Sequence, residues 1–294
     1  MRCLVTGASG YVGGVLAAYL ENHGVSVTRL QRSPAAGVVS YNLGGDIDPS
    51  ALLGADALVH AAWDMKAVSS DEIQRVNVEG SRRLFEAAKA AGVSRIVFIS
   101  SISAFPGCRS LYGQSKLAVE KIAASMGAVV IRPALVYGEQ TGGMVGKLGA
   151  MVDSKSLLPV VAPKQEMFTC HADDLSECVL RAVKGELDAG KPVLAANPSP
   201  ITMGQILGML ASRAGKKITM LPVPHRAVWL ALRTAEAIGL RPNFKSDSLV
   251  GMMNPDPSPD FETPRRLGLG FRAFDLARGT VRSAPADGRR AGAK

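Results

Sequence analysis

The 294-residue chain has only four cysteines, Cys3, Cys108, Cys170 and Cys178, and only four histidines. No two cysteines have C-x-x-C spacing and the histidines are scattered. This argues against both a disulfide framework and a zinc site, and fits a reducing cytoplasm. An uncharged apolar run of about 20 residues is missing too, so no segment reads as a membrane-spanning helix and no membrane partner is expected. The longest candidate, 220–240, is interrupted by His225, Arg226, Arg233 and Glu236 and reads as an amphipathic helix after a Pro-rich turn. A secretory signal is not expected, because strand-like residues begin at Arg2 and a glycine turn follows at once. Charge is sparse at 20%, and Asp+Glu number 25 against 34 Lys+Arg, for a net +9. Residues 278–294 supply +4 of that excess, through Arg278, Arg282, Arg289, Arg290 and Lys294 against Asp287. With Gly, Ala and Pro between its charges this stretch reads as a solvated, mobile end, and nucleic-acid binding is not expected.

What the sequence does have is 47% apolar residues and 31 glycines in a length suited to one large or two modest domains. Strand-length apolar runs alternate with helix-period segments through the first half, which predicts an α/β fold with a parallel sheet and crossover helices. Strands are expected at 2–6, 25–30, 38–41, 57–61, 95–101 and 128–132. Helices are expected after Val12, over 49–53, along 71–91 with Gly92 as the stop, and over 112–125. Beyond Pro133 the segments shorten and prolines become frequent, which suggests a smaller lobe. There Asp174 and Glu177 suggest a capping box, and 254–260 reads as a loop because three prolines forbid regular structure.

The first strand runs into Gly7-Ala8-Ser9-Gly10-Tyr11-Val12-Gly13, and a helical stripe starts there. Gly7 permits a tight turn, Gly10 lets backbone amides approach a pyrophosphate, and Gly13 lets helix and strand pack closely. The helix N-terminus favours the anion. This order, strand then glycine turn then amphipathic helix, points to a dinucleotide site. The second strand ends Leu30-Gln31-Arg32 and offers no acid for an adenosine ribose diol. Arg32 can instead pair with a 2′-phosphate, favouring NADP over NAD, or can be a solvated loop arginine. Asp46, with Ile47 beside it, can meet the adenine; Asp46 and Asp48 can equally be turn and helix-cap residues.

Tyr112 and Lys116 lie four apart at the start of a predicted helix, which puts them on one face. They follow the strand ending Ser100-Ser101, and strands of such sheets deliver functional groups at their carboxyl ends. A neighbouring ammonium is expected to lower the tyrosine's pKa toward a useful acid/base range.

On Thr6 to Gly13, Asp46, His60-Ala61-Ala62, Asn77-Val78-Glu79-Gly80, Ser100-Ser101, Tyr112 to Lys116, Arg132 to Gly138 and His171 to Leu175, the chain resembles an extended short-chain dehydrogenase/reductase of the NAD-dependent epimerase/dehydratase family. A weaker match at 265–272 resembles the family's last element. The resemblance implies a Rossmann-type doubly wound parallel sheet in residues 1–135, also receiving residues from about 165–200. It implies an interleaved substrate lobe over 136–280 and leaves 281–294 as a flexible basic tail. Tyr112 would exchange a proton with a substrate oxygen, Ser101 would hydrogen-bond that oxygen, with Ser103 as the substitute if the strand slips, and Lys116 would also hold the nicotinamide ribose. Gly7, Ser9, Gly10, Tyr11, Val12, Gly13, Arg32, Asp46, Ile47, Ala61, Ala62, Asn77, Ser100 and Pro133 would complete the cofactor site. Asn77 would kink or hydrate the long helix, and His60 is a packed residue more readily than a catalyst.

The implied activity is hydride transfer to or from a carbinol carbon of a nucleotide-sugar or a related carbonyl compound. Lys147, Lys164, Arg226 and Arg265 are candidates for a substrate diphosphate, or are solvated charges. Dehydration is disfavoured, since Ile102 and Ser103 stand where the family's dehydratases carry Asp-Glu. The competing expectation is a non-catalytic dinucleotide-binding structural or regulatory subunit, although such relatives usually lose the Tyr-Lys pair. A homodimer through the helices starting near Asp71 and Tyr112 is a further expectation of the resemblance.

Overall fold

The computed structural model describes residues 1–33, 37–67, 69–139, 142–187, 190–240, 242 and 244–276; the expected basic tail lies outside them. Strand β1 (Arg2–Thr6) is a nearly continuous buried apolar run, and α1 (Tyr11–Asn22) returns along it with Gly13, Leu16, Ala17 and Leu20 turned inward. β2 (Ser26–Gln31), β3 (Val38–Ser40), α2 (Pro49–Leu52) and β4 (Ala57–His60) follow, with Asp48 capping α2 through the Ser50 amide at 2.9 Å. The long helix is divided: α3 (Ser70–Ile73), a π-helical turn (Gln74–Val78) and α4 (Glu79–Ala90). β5 (Arg95–Ile99), α5 (Leu111–Ser125) and β6 (Val129–Pro133) complete the first half.

The later elements are β7 (Leu135–Tyr137), α6 (Gly143–Ser154), β8 (Leu157–Val161), β9 (Glu166–Met167), β10 (Thr169–His171), α7 (Ala172–Lys184) and β11 (Val193–Ala195). After these come β12 (Ile201–Thr202), α8 (Met203–Arg213), β13 (Thr219–Val223), α9 (His225–Ala237), α10 (Ser246–Met253) and α11 (Glu262–Arg266).

The main sheet has the order β3-β2-β1-β4-β5-β6-β11, and every pair is parallel. This is a Rossmann-type doubly wound sheet, with the chain reversing direction between β1 and β4 and so opening a crevice at their carboxyl ends. One face buries the stripes of α1 and α7 together with Leu267, Leu269 and Phe271. The other buries Leu52, Leu84, Phe85, Val119 and Ala123 from α2, α4 and α5. A third cluster, around Val152, Leu158, Val160 and Leu207, supports the second lobe, where β8 pairs with β13 and α6 packs on α8.

Two local expectations are corrected. Asp174 and Glu177 do not form a capping box: α7 starts earlier, at Ala172, and His171 caps it by accepting the Asp173 amide at 3.2 Å. Asp174 instead accepts the Arg272 amide at 2.8 Å and pairs with its guanidinium, tying the 267–272 segment to the core. In the 220–240 segment the expected helix is present as α9, but a strand precedes it where a turn was expected, because Met220 to Val223 pair in register with Leu158 to Val161. The expected 254–260 loop is present. Among the described residues no helix is long and apolar enough to cross a membrane.

Candidate active site

Gly7 has φ +70°, and a Cβ on it would lie 2.8 Å from the Ala62 backbone; one on Gly13 would lie 2.3 Å from the Gly7 carbonyl oxygen. These two close approaches require glycine and leave a cradle lined by backbone. Gly10 donates its amide to the Gly7 carbonyl at 2.8 Å and is the N-cap of α1. Lacking a side chain, it leaves the first-turn amides to face an anion, with Ser9 exposed beside them. Val12 packs on the core, and the Tyr11 ring lies under the 142–143 backbone, where a Cβ on Gly142 would fall 2.1 Å from it. Ala61 and Ala62 both donate their amides to Thr6 Oγ1, at 3.2 and 3.1 Å, which fixes the β4 end against the glycine turn. The small walls, the cradle and the amide-bearing helix end fit a dinucleotide's pyrophosphate and ribose. Arg32 is exposed at the end of β2; Asp46 is exposed in the turn before α2, and Ile47 packs on the second core cluster.

His60 is a buried structural residue. Thr6 Oγ1, already accepting two amides, donates to His60 Nδ1 at 2.7 Å. Nε2 therefore carries the hydrogen and faces Ser81 Oγ at 2.9 Å, and Ser81 donates onward to the Asn77 carbonyl at 2.5 Å. Burial, assisted by the Lys116 charge, holds the imidazole down at about 3 and so neutral. Asn77, also buried, lies in the π-helical turn. Its Oδ1 accepts the Asp64 amide at 2.7 Å and its Nδ2 donates to the Asp64 carbonyl at 3.2 Å. The extra residue of a π turn swings this amide off the helix axis and into the β4-end loop.

The turn after β5 is pressed against α5: a Cβ on Gly113 would sit 2.2 Å from the Ser103 carbonyl oxygen. That approach brings the Ser101 hydroxyl onto the Tyr112 phenol. Ser101 Oγ also accepts the Ser103 amide at 3.1 Å. Ser110 caps α5 by accepting the Gly113 amide at 3.1 Å. Lys116 is buried, donates to the Ile99 carbonyl at 2.8 Å, and lies 3.9 Å from the Trp63 ring centroid and 6.0 Å from that of Tyr112. The expected lowering of Tyr112 is corrected: loss of solvent outweighs the Ser101 hydrogen bond and raises it. The same loss brings Lys116 down to about 7, with the Glu120 carboxylate pulling the other way.

Ser100 does not face the crevice with its hydroxyl. It donates to Glu120 Oε1 at 2.5 Å, and Glu120 holds Arg132 through both guanidinium arms at 2.8 and 2.6 Å. Pro133 is buried and accepts the Ile102 amide at 2.9 Å.

Above Ser101 and Tyr112 a cavity of about 850 Å³ opens between the sheet end and the second lobe, with Asn77 on its wall. Trp63, Phe105, Met167, Phe168, Phe244 and Met252 give it an apolar lining. Among the described residues its charged lining is five carboxylates, Asp64, Glu166, Glu236, Asp247 and Asp256, and two cations, Arg233 and Lys245. Lys245 donates to the Met65 and Ala67 carbonyls at 2.5 and 3.0 Å. Asp247 accepts the Leu111 and Tyr112 amides at 2.7 and 3.0 Å. None of the four expected diphosphate ligands, Lys147, Lys164, Arg226 and Arg265, lines this cavity; all are exposed elsewhere. Trp63 and Asp247 escaped sequence reasoning. Trp63 directly follows the His-Ala-Ala strand end, a position that signals a wall residue, whereas Asp247 reaches Tyr112 from 135 residues away.

Comparisons with known proteins bear on the family and the fold. The chain is 26% identical over 270 residues to the 4-hydroxy-2-methyl-3-oxo-4-farnesyl-3,4-dihydroquinoline-1-oxide ketoreductase of Stigmatella aurantiaca, covering 81% of this chain and 80% of that one. It is 32% identical over 185 residues to the ceramide reductase of Caulobacter vibrioides, covering 58% and 57%. Some other relatives, from mycobacteria, are much longer, and this chain spans 32% of their length. A solved structure, MoeE5 in complex with UDP-glucose and NAD, has the same fold, with a TM-score of 0.66 and 21% identity over 76% of this chain and 85% of that one. The model of the NAD dependent epimerase/dehydratase family matches residues 3–194, from the first residues of β1 to the middle of β11, and the chain belongs to that family.

Proposed function

We propose that the protein is a nicotinamide-dinucleotide-dependent oxidoreductase that reduces a ketone on a largely apolar substrate to a secondary alcohol. The observation that carries this reading is the cavity above Tyr112, whose walls are apolar and whose charged groups are mostly acids. Among the described residues a nucleoside diphosphate would meet five carboxylates and two cations there, one of them already held by backbone carbonyls. Opposite charge is what diphosphate recognition needs, so a nucleotide-sugar is the weaker reading. The two relatives named above are called a ketoreductase for a farnesylated quinoline oxide and a ceramide reductase, which favours the same class.

When bound, the dinucleotide supplies the hydride. The glycine cradle and the α1 amides would hold its pyrophosphate, and the alanines at the β4 end would let it lie flat. Ser101 and Tyr112 would hold the substrate carbonyl oxygen, and Tyr112 would give that oxygen its proton as the carbon is reduced. Burial keeps the phenol protonated at neutral pH, the form that reduction requires. Lys116 would donate to the nicotinamide ribose from its position beside Ile99 and Trp63. Arg32 favours NADP, since it offers a cation where an acid would select the ribose diol. Ile102 and Ser103, after Ser101, supply no carboxylate for expelling water, which disfavours dehydration.

The test is NADPH oxidation with a panel of apolar ketones and UDP-sugars, for wild type and Tyr112→Phe. The wild type is expected to turn over ketones, and the variant to lose about 10²- to 10⁴-fold in kcat. Undiminished turnover in the variant would remove Tyr112 from the chemistry.

A further inference from the structure

Helix α9 (His225–Ala237) has no buried residue, although it is rich in apolar side chains. At about 100° per residue, positions 227, 230, 231, 234, 237 and 238 share one arc. They are Ala227, Leu230, Ala231, Thr234, Ala237 and Ile238, without a charge among them. This arc faces away from the protein, with Leu230 61% and Ile238 72% exposed. An outward helix face in contact with water alone is ordinarily polar. The opposite side rests on α10, carrying Val228, Leu232 and Ala235 partly covered.

Charge is confined to one edge and has one sign. Arg226 and Arg233 stand beside the apolar arc, and the helix's one carboxylate, Glu236, is turned inward, where it accepts the Ser246 amide and hydroxyl at 2.8 and 2.6 Å and lies 4.0 Å from the Arg233 guanidinium. Trp229, 40% exposed, lies on the same cationic edge and lines the cavity with Arg233. An apolar arc with a cationic border is the arrangement that seats a helix in the plane of an anionic bilayer surface. We propose that the outward face of α9 docks on such a surface, setting the cavity wall formed by Trp229 and Arg233 beside the lipid.

A second copy of this chain fits the face less well. Thirteen residues of helix give a strip roughly 20 Å by 10 Å, far below the ~800 Å² per partner of a stable dimer, and pairing two such edges would bring like charges together. The inference departs from the expectation of no membrane partner, which rested on spanning segments alone. Its purpose, delivery of apolar substrate to the cavity, rests on the proposed function; the docking itself does not.

Flotation of the full chain with vesicles, without substrate or cofactor, tests it. Vesicles of equal parts phosphatidylcholine and phosphatidylglycerol are expected to carry the protein upward, with high salt weakening the association. The double variant Leu230→Asp/Ile238→Asp, checked for an unchanged circular dichroism spectrum, is expected to bind about tenfold less or weaker. Equal flotation of variant and wild type would overturn the proposal, since the basic 278–294 segment would then be the attachment. So would wild type that stays unbound, or that self-associates through this face as shown by light scattering. Because ketone reduction is assayed separately in detergent-free buffer, its failure and the failure of docking are read independently.

Discussion

Lys116 spends its ammonium on the Ile99 carbonyl and the Trp63 face, inside a wall that admits almost no water. Its pKa of about 7, against an ordinary 10.5, means that between those values the folded chain holds a neutral amine and the unfolded chain a charged one. The unfolded state binds the extra proton there, so this group's penalty on stability is full below about pH 7 and fades as pH rises toward 10.5. Lys116→Met is therefore expected to raise the melting temperature most at and below neutral pH, with the gain shrinking at alkaline pH, while ending catalysis. A melting temperature lowered by the substitution across the whole range would show that the cation is net stabilising. His60 acts in the same direction at lower pH. With its folded pKa near 3 and its ordinary value at 6.5, it is protonated first in the unfolded chain, so stability from this group falls as pH drops through that interval. Acid unfolding of His60→Gln is expected to show a shallower dependence over the same interval, measured by circular dichroism.

At the scale of elements, α5 is held at its N-terminus from two directions. Ser110 caps it locally, and Asp247 on α10 reaches across to the Leu111 and Tyr112 amides. A carboxylate there satisfies orphan donors and complements the helix dipole. Asp247→Ala should lower stability by about 1 kcal/mol in denaturant unfolding, with Asp247→Asn losing less. It should also loosen Tyr112, seen as faster amide exchange at the start of α5. Much of this level was legible in the chain. The glycine turn, the strand ends at Ala61 and Ser101, and the Tyr-x-x-x-Lys face follow from local order and periodicity. What escaped is what depends on distant partners. The π turn at Asn77 is set by its side-chain pairing with the Asp64 backbone, which helix periodicity does not encode. Asp174 looks like a cap in sequence because Glu177 follows it, yet Arg272, 98 residues on, claims it. The 220–223 stretch, interrupted by Pro222, is a strand only because β8 lies alongside it.

For the whole molecule, the positive balance of the sequence does not reach the cavity. The net +9 resides on surfaces and in the 278–294 segment, while the cavity wall holds more acids than bases. Net charge therefore says little about the substrate, and the proposed substrate class rests on the apolar wall that Phe168, Met252 and Phe244 give the cavity. The cofactor, by contrast, is set by the sheet's carboxyl edge, where Arg32 is the only selecting charge proposed. Arg32→Ala is expected to weaken NADPH by about tenfold while leaving NADH unchanged, as read by fluorescence titration. Equal losses for both coenzymes would assign Arg32 to the pyrophosphate or to the fold.

The most direct measurement follows nicotinamide absorbance while wild-type protein is offered long-chain or polycyclic ketones and UDP-sugars side by side. Turnover of ketones, with UDP-sugars neither consumed nor able to inhibit, is the expected result. Turnover or tight competitive inhibition by UDP-sugars, with every apolar ketone inert, would contradict the reading of the cavity.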